Sequence, residues 1–196
     1  SLAQKQSCLV ATDGKIEAGG WENPDVIRHF RFYIESVVNF LADENQVLKA
    51  LQEESFDKKF CDKILAGGLV QYFISVNEPE SVLLPGYLAG VFPPYKKGRL
   101  DLIMKVLNRM VEAHDITLDC IKTNLWKMGN PGPKVGVAHA WPYFDGMLGD
   151  FAHSIINKGI SNKFERAGQH TDFLALQYYF RMSVPNFSRN NKLYGE

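Results

Sequence analysis

No uninterrupted apolar run approaches the roughly 18 to 20 residues that a membrane span requires, and the longest candidate is the short stretch 69–76. The expectation is a soluble protein with no membrane partner. Cysteine is scarce: Cys8, Cys61 and Cys120 are odd in number and widely separated, which argues against both a disulfide framework and a zinc ribbon. A cytoplasmic or other reducing compartment fits that usage. The sequence also lacks a P-loop, a dinucleotide fingerprint, a nucleophile-elbow serine and a paired-histidine zinc motif. Neither a starting methionine nor a basic, apolar leader stands at Ser1, so the sequence reads as a trimmed or internal piece. An excess of either charge is missing too, with 22 basic and 22 acidic residues.

What is present suffices for a core. A chain of 196 residues with 45% hydrophobic content fits one domain, or two closely packed lobes. The zero net charge hides a split, because residues 1–95 carry −5 and residues 96–196 carry +5. Such a split describes either solvated faces that neutralise one another or an acidic and a basic lobe, the basic one facing a polyanion.

Asn23-Pro24 offers a cap before a helix whose apolar positions run from Val26 and Ile27 through Phe30, Ile34, Val37, Val38 and Leu41. Shorter helices follow around Val47 to Leu51 and from Ser55 to Gly67-Gly68. Segment 69–76 is ambiguous in length and composition, and its helical neighbours favour helix. Prolines 79, 85, 93 and 94 with three glycines make 77–98 a connector, and the charge changes sign there. Leu100 to Val111 and Leu118 to Met128 then predict two helices broken near His114-Asp115, packed as a hairpin. Gly129-Asn130-Pro131-Gly132-Pro133 must be irregular. A helix with small residues Gly146, Gly149 and Ala152 follows, and a last one from about Thr171 to Met182 ends before Pro185. The expected fold class is mainly α: a helical domain, in one piece or as two small lobes. An acidic helical lobe (1–78), a Pro/Gly-rich connector (79–98), a basic helical lobe (99–184) and an extended C-terminal tail or arm (185–196) make up the chain.

His139, Asp145, Asp150 and His153 form the best local cluster of catalytic or metal-ligating residue types. Asp150 and His153 stand i,i+3, half of a carboxylate-bridged metal site, but no second such pair exists, so no metal and no cofactor is expected. His170-Thr171-Asp172 combines a base and a carboxylate, or simply starts a helix. The basic half has more to offer a polyanion. Tyr95-Lys96-Lys97-Gly98-Arg99 places cations in a glycine-containing connector, and Lys122, Lys127, Lys134, Lys163, Arg166 and Arg181 add to them. Trp126, Trp141, Tyr143, Phe164, Tyr178, Tyr179 and Phe180 interleave rings on which unpaired bases can stack. In the tail, Phe187, Leu193 and Tyr194 supply apolar area for docking onto another copy.

Two helical lobes, a cationic hinge, a Pro/Gly loop, the run Ala140-Trp141-Pro142-Tyr143-Phe144 and the run Tyr178-Tyr179-Phe180-Arg181 resemble the nucleoproteins of negative-strand RNA viruses. The resemblance implies RNA clamped between lobes and arms exchanged between neighbouring protomers. The expected function is thus a nucleic-acid-binding assembly domain that packages single-stranded RNA, as in a viral nucleocapsid or coat, and that self-associates. Two alternatives stand beside it: a protein-interaction or scaffold domain, and a helical enzyme built on His139, Asp145, Asp150 and His153.

Overall fold

The computed structural model describes residues 10–12, 15–17, 19–67, 70–125, 132–146, 149–166, 171–179 and 181–183. After a short antiparallel hairpin, β1 (Val10–Thr12) and β2 (Lys15–Glu17), come a 3-10 turn (Gly20–Glu22) and three helices. These are α1 (Val26–Ala42), α2 (Glu44–Glu53) and α3 (Lys58–Gly67). Asn23 Oδ1 accepts from the Asp25 amide at 2.8 Å just ahead of α1. Asp43 caps α2 by accepting from the amides of Asn45 and Gln46, and the Gln46 side chain donates to it as well. These bonds, that of the Gln46 side chain foremost, hold the Asp43 carboxyl below the usual range.

Beyond α3 the chain changes character. β3 (Tyr72–Asn77), β4 (Lys134–Ala140) and β6 (Phe173–Gln177) form a three-stranded parallel sheet in the order β3-β4-β6. Parallel neighbours require long crossovers. The first runs through α4 (Pro79–Leu83), a π-helical turn (Leu84–Leu88) and the long α5 (Leu100–Asn124). The second runs through β5 (Tyr143–Asp145), α6 (Gly149–Ala152), a π-helical turn (His153–Lys158) and α7 (Gly159–Arg166). β5 pairs in parallel with β7 (Arg181–Ser183).

The expectation of a mainly α fold is therefore corrected to a parallel sheet packed with helices. Within the segment that the sequence favours as helix, Tyr72–Asn77 is a strand, because Tyr72, Phe73, Ile74 and Val76 have a strand neighbour in β4 that local periodicity does not reveal. Lys134–Ala140, to which the sequence reading assigns no element, is the central strand, with residues 135–139 all buried. In place of a last helix from Thr171 stand β6 and β7, their pairing with β4 and β5 outweighing the helical propensity of Leu, Ala and Gln. α5 does not break at His114-Asp115. Its buried positions Val106, Met110, Ala113, His114, Thr117 and Ile121 continue one stripe through that point, so no hairpin forms.

That stripe organises the core. One cluster joins Val76, Leu83, Tyr87, Val106, Leu107, Met110, Val137, Ile160 and Phe164; the other joins Val38, Ile116, Leu118, Cys120, Ile121, Leu125 and Val135. α5 and β4 contribute to both. Opposite the helices, the sheet exposes Tyr72, Ile74, Leu174 and Leu176. No helix among the described residues is long and apolar enough to cross a membrane.

Candidate functional site

All three strands of the sheet run the same way, so Asn77, Ala140 and Gln177 lie together at its C-terminal rim. Asn77 is followed by Glu78, whose backbone is left-handed (φ 48°, ψ 62°), and then by Pro79 at the start of α4. The proline begins a helix well, since its missing N–H is an orphan there anyway. The left-handed residue turns the chain off the strand and leaves the Glu78 carboxyl half-buried at the rim. Its amide donates to Ala138 O at 2.7 Å, which anchors the turn to β4.

Two side chains bond to that carboxyl. Ser81 Oγ donates to Oε2 at 2.8 Å, and the Tyr179 hydroxyl donates to Oε1. This bond to a carboxylate pushes the Tyr179 phenol above its usual range. Tyr179 Oη also lies 3.0 Å from Gln177 Oε1, while Gln177 Nε2 donates to Asn77 Oδ1 at 3.1 Å and so fixes the amide orientation. Two further carboxylates at this end are engaged elsewhere. Glu80 is buried against His139, and Asp145 accepts from Arg181 Nε at 2.7 Å.

The four residues of the alternative helical enzyme, His139, Asp145, Asp150 and His153, are engaged separately. His139 lies in the core against Glu80, Asp145 pairs with Arg181, and Asp150 is exposed on α6. His153 Nε2 accepts from the Phe144 amide at 3.1 Å, with Asn157 at 2.9 Å from Nδ1. Among the described residues no group of three His, Cys, Asp or Glu could hold a metal ion.

Several cations expected to meet phosphates instead meet acids. Lys96 Nζ lies 2.6 Å from Glu22 Oε2, Arg99 grips Asp101 through two bonds that lower the Asp101 carboxyl to about 2, and Lys122 Nζ lies 2.6 Å from Asp172 Oδ2. Lys134 sits over the Tyr72 ring at 5.9 Å, at the opposite rim from Glu78. Arg181 combines its Asp145 pair with the Tyr143 ring. Tyr95, Lys97 and Lys163 are exposed. Lys127, the Arg166 side chain and the tail residues Phe187, Leu193 and Tyr194 lie outside the described residues, as does His170.

No family model matches the chain. The 6-phospho-β-galactosidase of Lacticaseibacillus casei strain BL23 is 33% identical over 91 residues, 44% of this chain and 18% of that protein. The crystal structure of the β-glycosidase from Thermosphaera aggregans superposes with a TM-score of 0.58 at 20% identity, covering 93% of this chain and 35% of that one. The hyperthermophilic β-glucosidase from Pyrococcus furiosus gives 0.57 at 20% identity over 86% and 30%. The chain has part of the β-glycosidase barrel fold.

The chain spans about a fifth of the curated relative and about a third of the solved barrels. These comparisons overturn the resemblance to viral nucleoproteins and, with it, the RNA-packaging function and RNA partner. The residues that carry that resemblance serve the sheets instead. Ala140 ends β4, Tyr143 and Phe144 belong to β5, and Tyr178-Tyr179 leave β6 at the Glu78 rim. An enzyme fits the comparisons better than an assembly domain, though not a helical enzyme.

The sequence conceals Asn77-Glu78-Pro79 within an apparent connector, 77–98. The signal that could expose it is a run of β-formers ending in a carboxylate and then a proline. That pattern reads as a strand end, a sharp turn and a helix start.

Proposed function

We propose that Glu78 is the proton-donating carboxyl of a glycoside-hydrolysing site, and that this chain contributes it to a β-glycosidase barrel acting on β-linked sugars. The observation that carries the reading is the position of Glu78: at the C-terminal end of a parallel strand, held between Tyr179 and Ser81. In barrels of parallel strands, chemistry is done at that end, by residues that follow different strands. Hydrolysis of a glycoside uses two carboxyl groups, one to protonate the leaving oxygen and one to act as nucleophile or base. Glu78 supplies the first.

The surroundings of Glu78 accommodate both of its protonation states. With Glu78 ionised, Tyr179 donates its hydroxyl hydrogen to Oε1. With Glu78 protonated, the carboxyl hydrogen points at Tyr179 Oη, and the phenol turns its own hydrogen to Gln177 Oε1, 3.0 Å away. A group that gives a proton to a leaving oxygen and regains it from water needs both arrangements. The relative from L. casei is named for a 6-phosphorylated galactoside, so the substrates to compare are aryl β-galactosides and β-glucosides with and without a 6-phosphate.

Glu78→Gln should lower kcat/KM by about 10²- to 10⁴-fold on an alkyl β-glycoside, whose leaving group needs a proton. On a dinitrophenyl glycoside, which departs without one, the loss should be much smaller. Equal loss on both substrates, or activity indifferent to Glu78→Gln, overturns the assignment.

A further inference from the structure

Glu80 stands two residues beyond Glu78, in the first turn of α4, and is 3% exposed. It faces His139 on β4, whose side chain is fully buried. Glu80 Oε1 accepts from His139 Nδ1 at 2.5 Å, and Oε2 accepts from the Ala140 amide at 3.2 Å. With the Glu78 amide bonded to Ala138 O, a short segment that has already left the sheet grips three successive residues of β4. The Glu80 carboxylate takes the place at Ala140 that a continuing strand would have filled.

His139 Nε2 has no hydrogen-bond partner among the described residues, and the ring lies edge-on to Trp141 and Phe164. The polar bonding of the ring therefore runs through Nδ1 to Glu80. Stability alone is a weak reason to bury such a pair, because desolvation offsets much of the attraction, whereas breaking it strands a polar group in the core. Its specific effect is on geometry. A non-glycine residue in the left-handed region persists only where its surroundings over-determine it, and Glu78 is such a residue.

We propose that the buried Glu80–His139 pair is a positioning device for Glu78, clamping the turn between β3 and α4 to β4 so that the Glu78 carboxyl is presented to Tyr179 and Ser81. Its importance for catalysis rests on the reading of Glu78 given above, but the clamp can be tested without activity. The reporter is the Tyr179 phenol, whose pKa is held up by its bond to Glu78. Following the Tyr179 ring carbon by NMR, Glu78→Gln sets the full effect, a fall of the midpoint towards the ~10 of an ordinary tyrosine.

Glu80→Leu should reproduce most of that fall, while Val106→Ala, a destabilising change elsewhere in the core, should leave the midpoint in place. A folded Glu80→Leu protein with the wild-type midpoint overturns the clamp. If Glu80→Leu does not fold, amide exchange in the unaltered chain decides: the Glu78 and Ala140 amides should open together, and a Glu78 amide exchanging more than about tenfold faster overturns the proposal. Coupled titration in a complete barrel whose glycoside cleavage is indifferent to Glu78→Gln would refute the functional reading and leave the clamp standing.

Discussion

Gly136 lies in the buried centre of β4, paired in register with Phe173 of β6. A Cβ built there would stand 2.4 Å from Phe173 O and 2.7 Å from Cδ2 of its ring. The nearer obstacle is backbone held by strand pairing, so it cannot swing aside as a side-chain tip would. Gly136→Ala should therefore cost about 1–3 kcal/mol, the usual range for overpacking. A shift of the urea midpoint to lower concentration measures it, and an unchanged midpoint would show that β6 slides freely. This glycine is required by close approach, not by its dihedral angles, a reason that appears only once β4 and β6 are neighbours.

At the scale of elements, α5 carries a titratable group into the interior. His114 is fully buried between Ser75 Oγ, 2.6 Å from Nδ1, and Thr171 Oγ1, 3.1 Å from Nε2, so α5 is bonded to β3 and to the approach to β6. Burial lowers its basicity, and the Asp172 charge opposes that only in part. The folded pKa thus lies below the ~6.5 of an unfolded histidine. Between those values the unfolded chain binds more protons, so stability is full above about pH 6.5 and declines as pH falls through the folded value. His114→Gln should flatten that decline in urea midpoints measured against pH, and a slope unaltered by the substitution would assign it to other groups.

Helices are more legible than strands in this sequence, for a physical reason. α1 can be read from Asn23-Pro24 and a clean apolar spacing, and so can the first half of α5. β4 is buried on both faces and interrupts its valines with Gly136, Ala138 and His139, so it shows no alternation to read. β6 contains Leu, Ala and Gln, residues that favour helices when isolated. Glu78 is hidden by its proline: a carboxylate beside Pro79 in a proline-rich segment looks like loop until the strand before it is recognised. The lysines and arginines invite an opposite error, since Glu22, Asp101, Asp145 and Asp172 are distant in the chain or point where sequence does not say.

Across the molecule, α5 and β4 belong to both apolar clusters, so neither cluster can come apart without the other. Met110→Ala in one and Ile121→Ala in the other should each cost about 2–5 kcal/mol. Both should displace a single unfolding transition seen alike by far-ultraviolet circular dichroism and tryptophan fluorescence. Two separable transitions would show that the clusters fold as independent units.

The common direction of β3, β4 and β6 gives the molecule two unlike ends. At one lie Glu78, Gln177 and Tyr179; at the other, Asp172 Oδ2 accepts from the Val135 amide at 2.7 Å and meets Lys122. In a population of variants these ends should fail differently. Changes at Asp172 or Lys122 should appear as scarcity, because fewer chains survive folding and turnover. Changes at Glu78 or Tyr179 should leave abundance normal and silence the molecules that accumulate. A scan recording abundance and activity separately would thus recover the orientation of the sheet from inheritance alone.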